Sequence, residues 1–133
     1  MTTALLIIHG LMAVALLGAI THQAISLGLP GRRPAASFVG RVRAVNPPAY
    51  VGAIIILYVI TAILGSIIYP EYRMQVSIVL EQMGLRTANG AFELKEHFLA
   101  VGLGLLHAYW YSWRQPLEPR YARTRMALTM MLA

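Results

Sequence analysis

The sequence predicts an all-α integral membrane helical bundle with three full spans, the start of a fourth, and the N-terminus outside. Composition gives the first indication, because 58% of the 133 residues are hydrophobic, only 12% are charged, and the mean hydropathy is +0.62. In soluble domains, about a quarter of the residues are charged. The second indication is that basic residues flank the apolar stretches, the positive-inside pattern. We therefore expect one transmembrane domain, residues 1–133.

Charge and cysteine content exclude several functions. The formal net charge is +6, but the basic residues mark the ends of spans and form no continuous basic face, so we do not expect nucleic acid as a partner. The chain has no cysteine. Disulfides, thiolate metal sites, iron–sulfur clusters and cysteine-linked haem are therefore excluded within it. Histidine, methionine and glutamate remain as ligands.

The first two spans are defined by apolar runs with clear ends. Residues 4–27 lack the basic start of a secretory signal and form a run too long for one, so we interpret them as a retained span. The sequence GLPG then predicts a helix stop, and residues 32–48 an irregular arginine-rich loop. The second span, residues 50–69, lies between interfacial tyrosines and ends at Pro70.

The rest of the chain holds a third span and an incomplete fourth. Residues 71–91 are polar, with a short amphipathic surface helix around Met74, Ile78 and Leu85 and a turn at Asn89–Gly90. The third span, residues 92–113, ends in an aromatic belt. Residues 126–133 would reach only ~12 Å into a hydrocarbon core ~30 Å thick. Either they lie against the membrane or, as we expect, the fourth span continues.

Arginine counting predicts the orientation. The loop after the first span has four arginines and no acid, and the tail after the third has four arginines and one glutamate. The stretch from Glu71 to Glu96, which includes the start of the third span, holds four glutamates and three basic residues. The arginine-rich segments are therefore expected in the cytoplasm, with the N-terminus outside. We expect the protein to lie in a bacterial inner (plasma) membrane.

One face of the third span carries two histidines. Read as a helix, this span places five residues on one seam at steps of three and four: His97, Ala100, Gly104, His107 and Tyr111. An ionisable side chain in a span is a functional-site hypothesis by default. The small residues between the two imidazoles leave room for a flat ligand, and the seam therefore predicts haem ligation.

All four histidines lie in the first and third spans and pair by depth. His9 and His97 each lie ~7.5 Å into their spans, whereas His22 and His107 lie ~27 and ~23 Å deep. We therefore expect one or two haem b groups, with an outer iron between His9 and His97 and an inner iron between His22 and His107. Small residues near the ligands, Gly18 on the first span and Gly104 on the third, would border the porphyrins.

Helical phase weakens the outer pair. His9 and His22 are thirteen positions apart, so they point ~140° apart on a straight helix. His97 and His107, ten positions apart, are better matched. The outer site is therefore the weaker of the two, and His9 alternatively faces another subunit.

The histidine pattern resembles that of the di-haem b-type cytochromes that serve as membrane subunits of respiratory oxidoreductases. The resemblance rests on two histidines in each of two spans, with small residues between them, and on an incomplete four-span plan. It implies electron transfer across the bilayer, other membrane subunits as partners, and quinone or an outer redox protein as the electron donor or acceptor. Charged residues near His97 are candidates for a quinone site or a proton path: Glu93, Lys95 and Glu96.

Other functions fit the same residues. His22 and His107 alternatively hold the first and third spans together, through a hydrogen bond between histidines or one to Thr21 or Thr61. The small residues, Gly102 among them, alternatively permit close helix packing. The chain would then be a haem-free structural subunit that scaffolds a membrane complex. A small transporter or proton channel is a third hypothesis. The sequence has no catalytic motif, so we do not expect a stand-alone enzyme.

Overall fold

A computed structural model describes residues 2–28, 37–38, 41, 46–116 and 118–133. All of the regular elements in these ranges are helical. In chain order they are α1 (Thr2–Gly28), a 3₁₀ turn (Pro47–Tyr50), α2 (Val51–Glu71), a π-helical segment (Tyr72–Ser77), α3 (Ile78–Gln82), α4 (Arg86–Arg114) and α5 (Pro119–Leu132).

Two stretches of helix in the described ranges are long and apolar enough to cross a membrane. They are Thr3–Gly28, with a hydropathy of 2.3, and Pro47–Gln82, with a hydropathy of 2.6. Only 11% and 22% of their most apolar windows are buried, whereas the core helix of a soluble protein is mostly buried. The third predicted span lies within α4, which is not among these stretches because histidines, tyrosines and tryptophans dilute its apolar residues.

The bundle has one small core. α1 packs against α2 and α5, and α4 packs against α2 and α5. The buried apolar residues come from four helices: Leu16, Ile20, Ile54, Tyr58, Leu106, Tyr109 and Leu132. Most other apolar side chains of α1 and α2 face outward, as expected for helices whose surroundings are apolar.

α2 and α4 are in close contact at Gly102. A Cβ atom at this position would overlap the Tyr58 hydroxyl group. That hydroxyl donates to the carbonyl oxygen of Leu99 at 3.4 Å. The interpretation of Gly102 as a close-packing residue is therefore confirmed, because only a hydrogen atom fits against Tyr58.

The corner between α2 and α4 differs from the prediction. Pro70 does not end the second helix but lies inside α2, and the chain continues through the π-helical segment into α3. Proline removes one backbone hydrogen bond of a helix, and α2 nevertheless continues past Pro70. The reversal occurs at Gly84, whose φ of +71° is a left-handed conformation that glycine adopts without strain.

The predicted turn at Asn89–Gly90 is therefore wrong, because both residues lie in α4. The amphipathic helix predicted within residues 71–91 is confirmed in part. Residues 72–82 are helical but continue directly from α2, and Leu85 lies outside, at the N-cap of α4.

The ends of the first and last helices also bear on the predictions. α1 ends at Gly28, as predicted. Most of the arginine-rich loop, including Arg32, Arg33 and Arg43, lies outside the described residues. α5 begins at Pro119, seven residues before the predicted Met126. Proline at the first position of a helix is a start signal, because its fixed φ suits the first turn and its missing N–H is not needed there.

Candidate functional site

The five seam residues form one outward strip of α4. His97, Ala100, Gly104, His107 and Tyr111 are all exposed. At ~100° per residue they cover an arc of ~80°. The side of α4 that faces the bundle is opposite and carries the buried residues Gly102, Leu106 and Tyr109. The spacing that defined the seam therefore corresponds to a real face, and that face points away from the rest of the described chain.

His97 has a defined tautomer. Its Nδ1 atom lies 2.7 Å from the backbone carbonyl oxygen of Glu93. A carbonyl oxygen only accepts hydrogen bonds, so Nδ1 carries the proton and donates it. In the neutral imidazole, the Nε2 atom then keeps its lone pair. Metal-bound histidines commonly show this arrangement, in which a backbone carbonyl fixes the ring and the other nitrogen faces the metal.

His107 lies ten residues further along the seam, at the edge of a shallow groove. The groove has a volume of about 560 Å³ and lies between α2 and α4, with Ile55, Val59 and Leu103 among its lining residues. The His107 ring is 6.0 Å from the ring of Trp110, centroid to centroid. His107 is therefore an exposed imidazole beside an apolar surface.

His22 lies on α1, beside the 3₁₀ turn that precedes α2. Its ring is half-buried, 5.3 Å from the ring of Tyr50 and inclined to it by 37°. The next residue, Gln23, is fully buried and fastens this end of α1. Its side-chain N–H donates to the carbonyl oxygen of Pro47 at 2.9 Å, and its side-chain oxygen accepts from the Tyr109 hydroxyl at 2.7 Å.

The Gln23–Tyr109 bond determines where His107 points. Because Tyr109 faces α1, His107 two positions earlier is rotated by ~200° and faces away from α1. The structure therefore does not bring His22 and His107 together within one chain. Ligation of iron by either residue stays a prediction.

His9 faces α2. Its Cε1 atom would lie 3.2 Å from a Cβ atom at Gly65. His9 and Thr61 both line a groove of about 550 Å³. His97, in contrast, lies on the outward face of α4. These two histidines are therefore not brought together either. Among the described residues, neither the His9 Nδ1 atom nor the Thr61 hydroxyl has a hydrogen-bond partner. The predicted histidine–threonine bond is therefore not formed at Thr61.

The two glycines predicted to border porphyrins both lie on open surfaces. A Cβ atom at Gly18 or at Gly104 would have nothing within 4 Å. Gly18 lies on the exposed side of α1, and Gly104 lies on the seam between His97 and His107. Neither glycine is required for helix packing within the chain, in contrast to Gly102.

The charged residues near His97 are mostly paired with one another. Lys95 lies 2.8 Å from Glu96, and Glu93 lies 3.3 Å from Arg73. All four side chains are partly exposed. The Arg73–Glu93 pair joins α4 to the π-helical segment, whereas the Lys95–Glu96 pair lies within α4. The quinone site or proton path stays a prediction.

Sequence reasoning missed a polar cluster around Asn89. The side-chain oxygen of Asn89 accepts from the Ser77 hydroxyl at 2.9 Å and from the Tyr72 hydroxyl at 3.1 Å. Its amide N–H group donates to Glu81 at 3.3 Å. The available signal was an asparagine within a helix-length pattern, which needs polar partners when it is buried.

A buried arginine was missed as well. Arg125 was interpreted with its neighbours as a topology signal, but only 4% of it is exposed. Its guanidinium group donates to the carbonyl oxygen of Pro116 and lies 5.7 Å from the ring of Trp113. These contacts hold the turn between α4 and α5 closed.

The chain was also compared with known proteins. No protein-family model, curated protein or solved structure matches the chain. Within the described residues, no group of three or more histidine, aspartate or glutamate side chains could hold a metal ion. Axial ligation of haem needs two imidazoles at one depth, because the porphyrin supplies the other four nitrogens, and the two of the seam, ~15 Å apart along α4, would each supply one of them. The seam of α4 is therefore the group of residues best suited to supply axial ligands.

Proposed function

We propose that this chain is a membrane-embedded b-type cytochrome subunit that carries electrons across the bilayer through bis-histidine haem. It would act within a larger respiratory or electron-transfer complex. The observation that carries this proposal is the seam of α4, where two imidazoles lie on one exposed strip with only small residues between them. An exposed imidazole within an apolar helix is costly in lipid unless it has a partner.

The residues of the seam fit haem in two respects. In the neutral His97 ring the Nε2 atom has a free lone pair, because the Nδ1–H is held by the carbonyl of Glu93. Ala100 and Gly104 leave the space beside the imidazoles open. Haem b, when bound, supplies a one-electron carrier whose iron alternates between the ferric and ferrous states. The protein would hold it, orient it and shield it from water.

The membrane arrangement follows the sequence prediction. In the proposal, α1, α2 and the apolar part of α4 are three full spans, residues from 126 onward begin a fourth, and the N-terminus faces outward in a bacterial inner membrane. Two long apolar helices with largely unburied windows support the membrane location. Other membrane subunits would cover the exposed apolar side chains, and quinone or an outer redox protein would exchange electrons with the haem.

A reduced-minus-oxidised absorption spectrum tests the proposal. The full chain would be expressed with haem supplied, purified in detergent and measured before and after dithionite reduction. We expect a b-type α band. Absence of the band from folded, helical protein would overturn the proposal.

A haem-free structural subunit is the alternative. It is favoured by the histidines of α1, because His9 lies against Gly65 and His22 lies beside Tyr50. Exposed side chains such as Leu11 and Val14 would then serve only to bind neighbouring subunits. This alternative predicts full assembly of the complex after His22 and His107 are both replaced by apolar residues of similar size.

A further inference from the structure

We infer that a second copy of this chain completes the ligand site, with the seams of two α4 helices facing each other across a two-fold axis. His97 of each copy would then oppose His97 of the other, and His107 would oppose His107. This inference rests on the proposed function and states where its haem would bind. In a single chain, the haem site would be incomplete.

A single chain does not supply the second ligand at either level of the seam. Gln23 holds Tyr109 toward α1, so His107 faces away from the helix that carries His22. His9 is directed at Gly65 on α2, whereas His97 is exposed on α4. Each imidazole of the seam consequently faces out of the bundle, toward whatever lies beside α4.

Symmetry explains why a second copy is the occupant. Two copies inserted with the same orientation are related by an axis normal to the membrane, so every residue of the seam meets its equivalent at the same depth. Two opposed imidazoles at one depth are what a haem iron needs. The two levels would be ~15 Å apart, at ~1.5 Å per residue. In such a dimer, symmetry pairs the histidines at both levels. The unequal histidine spacings of α1 and α4 then play no part in the pairing.

The surface beside the seam suits such a contact. Val101 and Leu103 are 60% and 40% exposed, and on a regular helix each lies ~40° beyond one edge of the seam. Because lipid is as apolar as these side chains, the polar imidazoles and the packing around them, and not the apolar flanks, would favour the contact. Ala100 and Gly104 add no bulk between the two levels.

Cross-linking through introduced cysteines tests the contact directly. The chain has no native cysteine, so each variant carries one thiol. Gly104→Cys lies on the seam, and Ile56→Cys is an exposed control on α2 at a similar depth, because Tyr58 on α2 meets Gly102 on α4. With a flexible bismaleimide in native membranes, we expect Gly104→Cys to form a dimer band at least tenfold stronger than Ile56→Cys.

Equal bands, or no band for Gly104→Cys, would overturn the second copy as the occupant. Ala100→Cys serves as a second seam position if Gly104→Cys does not accumulate. The expected result is the same there, because Ala100 lies on the same strip.

Haem content per chain separates this inference from the proposed function. In a symmetric site His107→Ala removes both ligands of one level, so haem per chain should fall by about half, whereas His22→Ala should leave it unchanged. An equal loss in both variants would overturn the symmetric site in favour of a His22–His107 pair. A cross-linked dimer without haem would overturn the proposed function and leave the seam contact standing, whereas haem in a monomer would overturn only the second copy.

Discussion

Single residues decide which way α4 faces. Tyr109 and Gln23 are both fully buried, and the 2.7 Å bond between them joins α4 to α1. Gln23 also holds Pro47, so one amide fixes the relative positions of three segments. The direction of the histidine seam is a consequence of this bond, because the seam lies on the opposite side of the same helix.

Replacing Tyr109 with phenylalanine should therefore destabilise the fold. The change removes one buried hydrogen bond and leaves the side-chain oxygen of Gln23 without that donor, at a cost of about 1 kcal/mol. Unfolding by sodium dodecyl sulfate in mixed micelles would measure this. Tyr111→Phe is the matched control, since its hydroxyl lies on an exposed residue of the same helix. An equal effect of both changes would argue against the buried bond.

Two glycines on α4 should respond oppositely to an added methyl group. Gly102→Ala forces a Cβ atom into the Tyr58 hydroxyl, and we expect a loss of about 1–3 kcal/mol of stability. Gly104→Ala meets nothing within 4 Å and should not lower the stability of the single chain. Detergent unfolding of the two variants checks this. A neutral Gly102→Ala would contradict the close approach of α2 and α4.

At the scale of elements, the sequence predicted the long helices better than their boundaries. The limits of α1 were correct within two residues because an unbroken apolar run ends at glycine. The corner between α2 and α4 was misread, because Pro70 and Asn89–Gly90 are strong turn signals locally. Tertiary contacts overrule them: Asn89 gains three polar partners only if α4 starts early enough to include it.

The position of this corner can be tested with two more glycines. Gly84→Ala should cost about 1 kcal/mol, because alanine is strained at a φ of +71°. Gly90→Ala should stabilise the protein by up to about 1 kcal/mol, because this exposed residue lies inside a helix and has open space at its Cβ position. Thermal melts followed by circular dichroism compare the two. The opposite signs would indicate a turn at Asn89–Gly90.

The candidate site was predictable only in part, for a physical reason. Helical periodicity places His97, Ala100, Gly104 and His107 on one strip from the sequence alone. Which direction that strip faces depends on contacts between distant residues, such as Gln23 with Tyr109 and Tyr58 with Gly102. Depth along the helices suggested that histidines of α1 and α4 would meet, but depth carries no information about rotation about the helix axis.

At the scale of the whole molecule, the described helices form a small bundle with a limited core and a large exposed apolar surface. The core is limited to a few residues of four helices, and most apolar side chains of α1 and α2 face outward. Exposed apolar surface of this extent is typical of proteins that contact lipid or other proteins. The histidine seam of α4 is part of that outer surface, so the proposed redox chemistry depends on what the chain assembles with.

The most direct test of the account is a reduced-minus-oxidised spectrum of three proteins expressed with haem: the unaltered chain, His97→Ala/His107→Ala, and His9→Ala/His22→Ala. We predict a b-type α band in the unaltered chain and in the α1 variant, and its loss from the seam variant. A band that persists without His97 and His107, or that disappears without His9 and His22, would contradict the claim that the seam of α4 holds the haem.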